Sequence, residues 1–289
     1  MRVLVLGATG MLGSAVHRVF SEDSGHEVWG TLRSAEGRRF FTESDNRRLL
    51  TGVDMLDHDG LVSLVRRVHP ELVINCVGLI KQLATANDPL AVLPINAMLP
   101  HRLARLCDLV GARLIHVSTD CVFSGRTGHY RESDRSDAED LYGQSKFLGE
   151  LPQGSTAVTL RTSIIGHELQ SRNALVDWFL SQPGPVKGYT KAVFSGVPSV
   201  ELARVMRDYV GPRPELKGIY HVSAKPIAKF DLLTLVARVY GKEATIVPDH
   251  SVVVDRSLNS DRFSAATGYV AAEWPDLIAL MHRYRKVNV

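Results

Sequence analysis

Apolar residues fall along this chain in two alternating rhythms. The first is an unbroken run, Val3 to Leu6, that stops at Gly7. A run without polar alternation marks a strand buried on both faces, as in a parallel sheet. From Met11 the apolar positions recur at helical spacing, predicting a helix over 11–20. The pair then repeats. A second strand ends near Thr31, and residues 34–48, polar and without a period, predict a surface loop with at most a short helix. Residues 49–53 form a third strand. Leu61, Leu64, Val65 and Val68 share one face of a helix that starts near His58 and is ended by Pro70. Residues 72–78 are a fourth strand, 114–117 a fifth and 156–160 a sixth. Between them lie a long helical region over 89–110, broken at Pro94 and Pro100, and a helix over 140–150. This βα alternation predicts an α/β fold with a doubly wound parallel sheet of Rossmann type. After Arg161 the alternation loosens. Helices are expected at 174–180, 199–209 and 228–240, and extended segments at 186–189, 218–222 and 244–247, with prolines between them. The expected division is a dinucleotide-binding domain over 1–160, which also takes back part of 187–212, and a smaller C-terminal substrate lobe over 161–289.

Composition narrows the function without changing the fold. The chain has 289 residues and a net charge of +3, from 34 basic and 31 acidic residues. No dense basic block is present, so nucleic acid is not an expected partner. No apolar stretch approaches the roughly 20 residues of a membrane span. Arg2 leads straight into the short apolar run and then glycine, which is not a signal-peptide pattern. Cys76, Cys107 and Cys121 are the three cysteines, a sparse and odd count that fits a reducing cytoplasm. The 11 histidines form no H-E-x-x-H motif, and no metal site is expected.

The chemistry gathers where predicted strands end. Gly7-x-x-Gly10-x-x-Gly13 follows the first strand directly. Glycines there permit a tight turn, a close phosphate and a helix laid near the sheet, and the helix N-terminus attracts an anion. Thr31 and Arg33 stand where an acidic residue would select NAD, and an arginine there accommodates the 2′-phosphate of NADP. Asp54 ends the third strand, facing adenosine or capping the next helix. Val77 and Gly78 end the fourth, and Ser118, Thr119 and Asp120 the fifth. Tyr142 and Lys146 are four residues apart on a helix and share a face. A tyrosine ionises near pH 10; a neighbouring ammonium lowers that value and makes it a usable acid or base.

Three segments then carry a resemblance: Gly7-Ala-Thr-Gly-Met-Leu-Gly13, Ser118-Thr-Asp-Cys-Val-Phe-Ser-Gly125 and Tyr142-Gly-Gln-Ser-Lys146. With Arg161-Thr-Ser-Ile-Ile-Gly166 and Arg256-Ser-Leu-Asn-Ser260 they resemble the extended short-chain dehydrogenase/reductase superfamily, and within it the dTDP-4-dehydrorhamnose reductase family. The resemblance covers nearly the whole chain. It implies reduction of the 4-keto group of a nucleotide-activated 6-deoxy sugar with NADPH, NADH remaining admissible, in cytoplasmic synthesis of surface polysaccharide. It implies Tyr142 as the acid, Lys146 on the nicotinamide ribose and Thr119 as the third catalytic residue. Gly7, Thr9, Gly10, Met11, Leu12, Gly13, Arg33, Asp54, Val77 and Gly78 would hold the cofactor with Tyr142 and Lys146. Ser118, Lys81, Asn173, Trp178 and Arg256 would meet the nucleotide sugar, and a homodimer is admitted. Some members bind Mg2+ through acidic residues in the first helix, where this chain has Ala15, with Lys191 in the later region. Lys81 and Gln82, in the loop after the fourth strand, differ from the rhamnose enzymes and leave room for another sugar, such as a 2-acetamido-4-keto sugar on UDP. An epimerase or dehydratase on the same scaffold, or a non-catalytic NADP-binding regulatory subunit, is the alternative. Against the dehydratase, Thr119-Asp120-Cys121 supplies one carboxylate beside the threonine and not two.

Overall fold

The computed structural model of the chain describes residues 1–81, 85–151 and 156–285; Gln82 lies outside them. The first half runs β1 (Arg2–Leu6), α1 (Met11–Ser21), β2 (Glu27–Leu32), a 3-10 turn (Ala35–Phe40), α2 (Glu43–Asn46), β3 (Leu49–Thr51), α3 (His58–Val68) and β4 (Leu72–Asn75). It continues through α4 (Pro89–Leu93), a π turn (Pro94–Met98), α5 (Leu99–Val110), β5 (Arg113–Thr119), a 3-10 turn (Asp120–Val122), α6 (Leu141–Leu148) and β6 (Val158–Thr162). The second half is β7 (Ile164–Ile165), α7 (Leu175–Ser181), β8 (Val186–Phe194), β9 (Val197–Pro198), α8 (Ser199–Arg204) with a second π turn (Val205–Val210), and β10 (Gly218–His221). It ends with β11 (Ile227–Ala228), α9 (Lys229–Tyr240), β12 (Ile246–Asp255), α10 (Asp261–Thr267) and α11 (Trp274–Arg283).

Seven strands form one sheet in the order β10-β6-β5-β4-β1-β2-β3, and every pair in it is parallel. The pleat explains why the apolar runs do not alternate. Val3 and Val5 feed one core cluster, with Ile74, Ile115 and Val158, while Leu4 and Leu6 feed the other, with Val73 and Leu114. Helices cover both faces, so the strands are apolar on both sides over most of their length. The strand order reverses between β1 and β4, and in an open parallel sheet the C-terminal strand ends at such a point form the ligand crevice. The second half adds a sheet of order β11-β8-β12 and the short pair β7-β9. It also returns to the first: β10 pairs with β6, and α8 packs against α1.

Several expectations need correction. Residues 89–110 are not broken at the prolines. Pro94 has no N–H, and the chain widens into a π turn in which Leu99 N–H bonds Pro94 O. Pro100 then sits in the first turn of α5, where its missing donor is tolerated. The segment 34–48 holds the short helix that the sequence allows, Glu43–Asn46, and in addition a 3-10 turn. The extended segment expected at 186–189 runs on to Phe194, and the one at 244–247 becomes a ten-residue strand to Asp255. Among the described residues, no helix is long and apolar enough to cross a membrane.

Candidate active site

The glycine turn lies between β1 and α1. Gly10 caps α1 without a side-chain hydrogen bond, and no acidic residue occupies the first turn. Its N–H groups therefore offer their positive end to an anion. A Cβ on Gly13 would sit 2.0 Å from the Gly7 carbonyl oxygen, so only glycine brings the helix this near the turn. Gly10 is exposed, Thr9 and Met11 half-buried, and Leu12 buried. Thr31 is buried, and its hydroxyl accepts from Gly7 N at 3.0 Å, which leaves exposed Arg33 as the cation at the β2 end. Asp54 accepts from Leu56 N at 2.9 Å and shapes its own turn; the cap of α3 is Asp57, on Gly60 N at 3.0 Å. Val77 N donates to Asn75 Oδ1 at 3.1 Å, and Gly78 is exposed beside it. A cradle with free helical N–H groups and no side chain at Gly10 fits a dinucleotide diphosphate.

Across the crevice, α6 presents Tyr142 and Lys146. Asp140 starts this helix, accepting from Gly143 N at 2.7 Å. A Cβ on Gly143 would meet the Cys121 carbonyl oxygen at 2.2 Å, so glycine lets α6 close on the loop that follows Thr119. Thr119 is buried; its hydroxyl donates to Asp120 Oδ1 at 3.1 Å and accepts from Cys121 N at 3.1 Å. Burial pushes the Tyr142 phenol above its ordinary value; the Cys121 and Asp120 charges add to this, and the Thr119 hydroxyl opposes it. Burial pushes Lys146 down to about 8, against the pull of Glu150. The ammonium of Lys146 is turned to the strand, donating to Val117 O at 2.7 Å. Tyr142 and Lys146 share a helix face as expected, and burial leaves the phenol above its ordinary value.

Ser118 departs from its expected place. The pleat turns Thr119 and Ser118 to opposite faces of β5, and the Ser118 hydroxyl donates to Glu150 Oε1 at 2.7 Å. Glu150 takes two further bonds from Arg161, at 2.7 and 2.6 Å, in a pair that is 3% exposed on both sides. Arg161 reaches His221 Nε2 at 3.3 Å and lies over the Phe123 ring, 5.2 Å from its centroid. Ser118 therefore belongs to a buried network behind the crevice and not to its substrate side.

Asn96 ties the crevice together. From the π turn, Oδ1 accepts from Leu79 N and Nδ2 donates to Leu79 O, both at 2.9 Å, and Nδ2 also donates to Ser145 Oγ at 3.2 Å. Lys81, two residues beyond Leu79, meets Asp140 Oδ2 at 2.5 Å. Arg256 is fixed through Nε to Phe123 O at 2.8 Å and acts electrostatically on Asp120, Cys121 and Asp140. Asn173 and Trp178 lie on the approach to α7 and on the helix itself, both exposed. Glu168 holds that approach, accepting from Asn173 N at 2.7 Å and Ala174 N at 2.8 Å. Among the described residues no hydrogen bond or ion pair joins Asn173 or Trp178 to Tyr142.

Solved structures share this architecture. The dTDP-4-dehydrorhamnose reductase of Bacillus anthracis, solved with NADP, superposes with a TM-score of 0.78 at 19% identity, covering 99% of each chain. The UDP-glucose 4-epimerase of Thermus thermophilus, solved with NAD, gives 0.78 at 20% identity over 100% of each chain. Among curated relatives, methionine adenosyltransferase 2 subunit beta of Pongo abelii is 27% identical over 259 residues, which is 83% of this chain and 72% of that protein. The model of the RmlD substrate binding domain matches residues 1–256, and the chain belongs to that family.

Proposed function

We propose that the protein is an NADPH-dependent reductase of the 4-keto group of a nucleotide-activated 6-deoxy sugar, with NADH admissible, serving surface-polysaccharide synthesis in the cytoplasm. The observation that carries this reading is the meeting of Thr119 and Tyr142 across a crevice from an open glycine turn. Residues 1–160 would hold the cofactor and 161–289 mainly the sugar nucleotide. Gly7, Thr9, Gly10, Met11, Leu12 and Gly13 would carry the diphosphate, Arg33 and Asp54 the adenosine half, and Val77 and Gly78 the floor. A dihydronicotinamide held by these residues would supply hydride to the carbonyl carbon. Tyr142 gives its proton to the carbonyl oxygen as charge develops there, and Thr119 orients that oxygen. Lys146, which burial holds at about 8, would hold the nicotinamide ribose. Asn173, Trp178 and Arg256 face the sugar nucleotide, and arginine suits bidentate contact with its diphosphate.

The test is NADPH consumption with 4-keto sugars on dTDP, UDP, GDP and CDP. Turnover with one of them, reduced at least about 100-fold by Tyr142→Phe while NADPH binding persists, supports the reading. The similarity to a methionine adenosyltransferase subunit favours a second reading, a regulatory NADP-binding protein. Tight NADPH binding without turnover on any sugar, and indifference to Tyr142→Phe in a partner-binding assay, would decide for it.

A further inference from the structure

Lys81 is not a free surface lysine. Asn96 grips both the N–H and the C=O of Leu79, and through Ser145 it ties that peptide to α6. Two residues on, the Lys81 ammonium bonds Asp140 Oδ2 at 2.5 Å and stands 5.4 Å from the centroid of the Tyr142 ring. The loop after β4 is thus fastened to α6 at two points, one on each side of Tyr142 in sequence. Asp140 has two duties: Oδ1 caps the helix through Gly143 N, and Oδ2 takes the lysine.

That arrangement answers a difficulty. A carboxylate is a good helix cap, yet one standing two residues before the proton donor opposes any phenolate. Asp140, Asp120 and Cys121 all raise the phenol. Lys146 is turned away to Val117 O, and Arg256 reaches Asp120, Cys121 and Asp140 from beyond β12. Lys81 is the cation bonded directly to the cap. Resting on the reading of Tyr142 as the acid, we propose that Lys81 is a positioning residue for it: the ammonium neutralises the capping carboxylate and covers one face of the Tyr142 ring, so that the phenol releases its proton beside a compensated pair.

Two measurements test this, the first without substrate. In protein loaded with NADP+, the Asp140 carboxyl is titrated by carboxyl-carbon NMR, with Asp140→Asn identifying its signal. Its carboxyl lies below the usual range, burial working against the Lys81 hydrogen bond and the Gly143 N–H that lower it. Lys81→Met should move that midpoint up by about one pH unit, and an unmoved midpoint overturns the proposal. The second is turnover. Lys81→Met should lower kcat about tenfold with KM within about twofold. Asparagine also caps helices, so Lys81→Met combined with Asp140→Asn should regain most of kcat, and Lys81→Arg should retain it. A rise in KM with kcat unchanged makes Lys81 a substrate contact and overturns the proposal, as does a double variant no better than Lys81→Met. If Tyr142→Phe keeps full turnover, the acid assignment falls and the proposal with it, while the NMR titration still reports separately whether Lys81 compensates Asp140.

Discussion

Ser118 and Thr119 are adjacent hydroxyl residues at the end of one strand, yet they do different work. Period-two alternation puts Thr119 toward Cys121 and Tyr142, and Ser118 onto a carboxylate that an arginine already neutralises. Ser118→Ala is therefore expected to leave KM for the sugar nucleotide unchanged and to cost about 1 kcal/mol of stability, read by denaturant unfolding; a KM effect would return Ser118 to the crevice. The network also sets a pH dependence. Arg161 can only donate, so His221 Nε2 accepts from it, and Nδ1 carries the proton toward Tyr130 O at 3.1 Å. Burial and the adjacent Arg161 push His221 down to about 3. Between the unfolded value near 6.5 and that figure, the unfolded chain binds a proton that the folded one refuses. Stability present above pH 6.5 is thus lost as pH falls, by about 1.4 kcal/mol per unit for this group. His116, buried and held well below its ordinary value, acts in the same direction. Wild type should lose stability more steeply than His221→Gln between about pH 6 and pH 4; equal slopes would mean that His221 takes its proton while folded.

The helices and strands show what the sequence could and could not disclose. The glycine turn was readable because strand, turn and helix are contiguous and each obeys a local rule. In the long helix proline reads locally as a stop, but a π turn lets the chain pass Pro94 and the first turn of α5 tolerates Pro100. The consequence reaches the site. Pro100 has no N–H for the Asn96 carbonyl, and α6 comes close enough there that a Cβ on Gly149 would lie 2.0 Å from that oxygen. Asn96, Glu150 and Lys81 gained their partners from contacts distant in sequence, which no local periodicity records. Gly143, inside Tyr142-Gly-Gln-Ser-Lys146, is the signal that a careful reading could have used: glycine is a poor interior helix residue and needs a reason. Its reason is the Cys121 carbonyl. Gly143→Ala must push α6 from the loop that follows Thr119, and is expected to cost about 1–3 kcal/mol and to lower kcat together with the melting temperature. Full activity at reduced stability would show that the spacing of α6 from β5 is not what sets the chemistry.

The two halves distinguished by the sequence share one interior. The larger core cluster begins with Val3, Val16 and Phe20 on β1 and α1, and runs without interruption to Leu202 and Met206 on the α8 segment, Leu232 on α9, and Trp274 and Ile278 on α11. β10 completes the parallel sheet from the second half, and Arg207 reaches back to Val19 O at 3.0 Å. A functional division between cofactor and sugar can therefore coexist with a single folding unit, because the crevice separates only the strand ends and the apolar interior beneath stays joined. The three tryptophans make this measurable. Trp29 on β2 packs against the second cluster, Trp274 is buried in the first, and Trp178 is exposed on α7. Variants keeping only Trp29 or only Trp274, with phenylalanine at the other two positions, should report the same denaturant midpoint once compared with far-ultraviolet circular dichroism of the same variant. Shared burial of Phe20 and Trp274 in one cluster leaves no surface at which the halves can part without exposing apolar area on both. A Trp274 transition that clearly precedes loss of secondary structure would mean that the second half melts from an intact parallel sheet, and that α1 is held by that sheet alone.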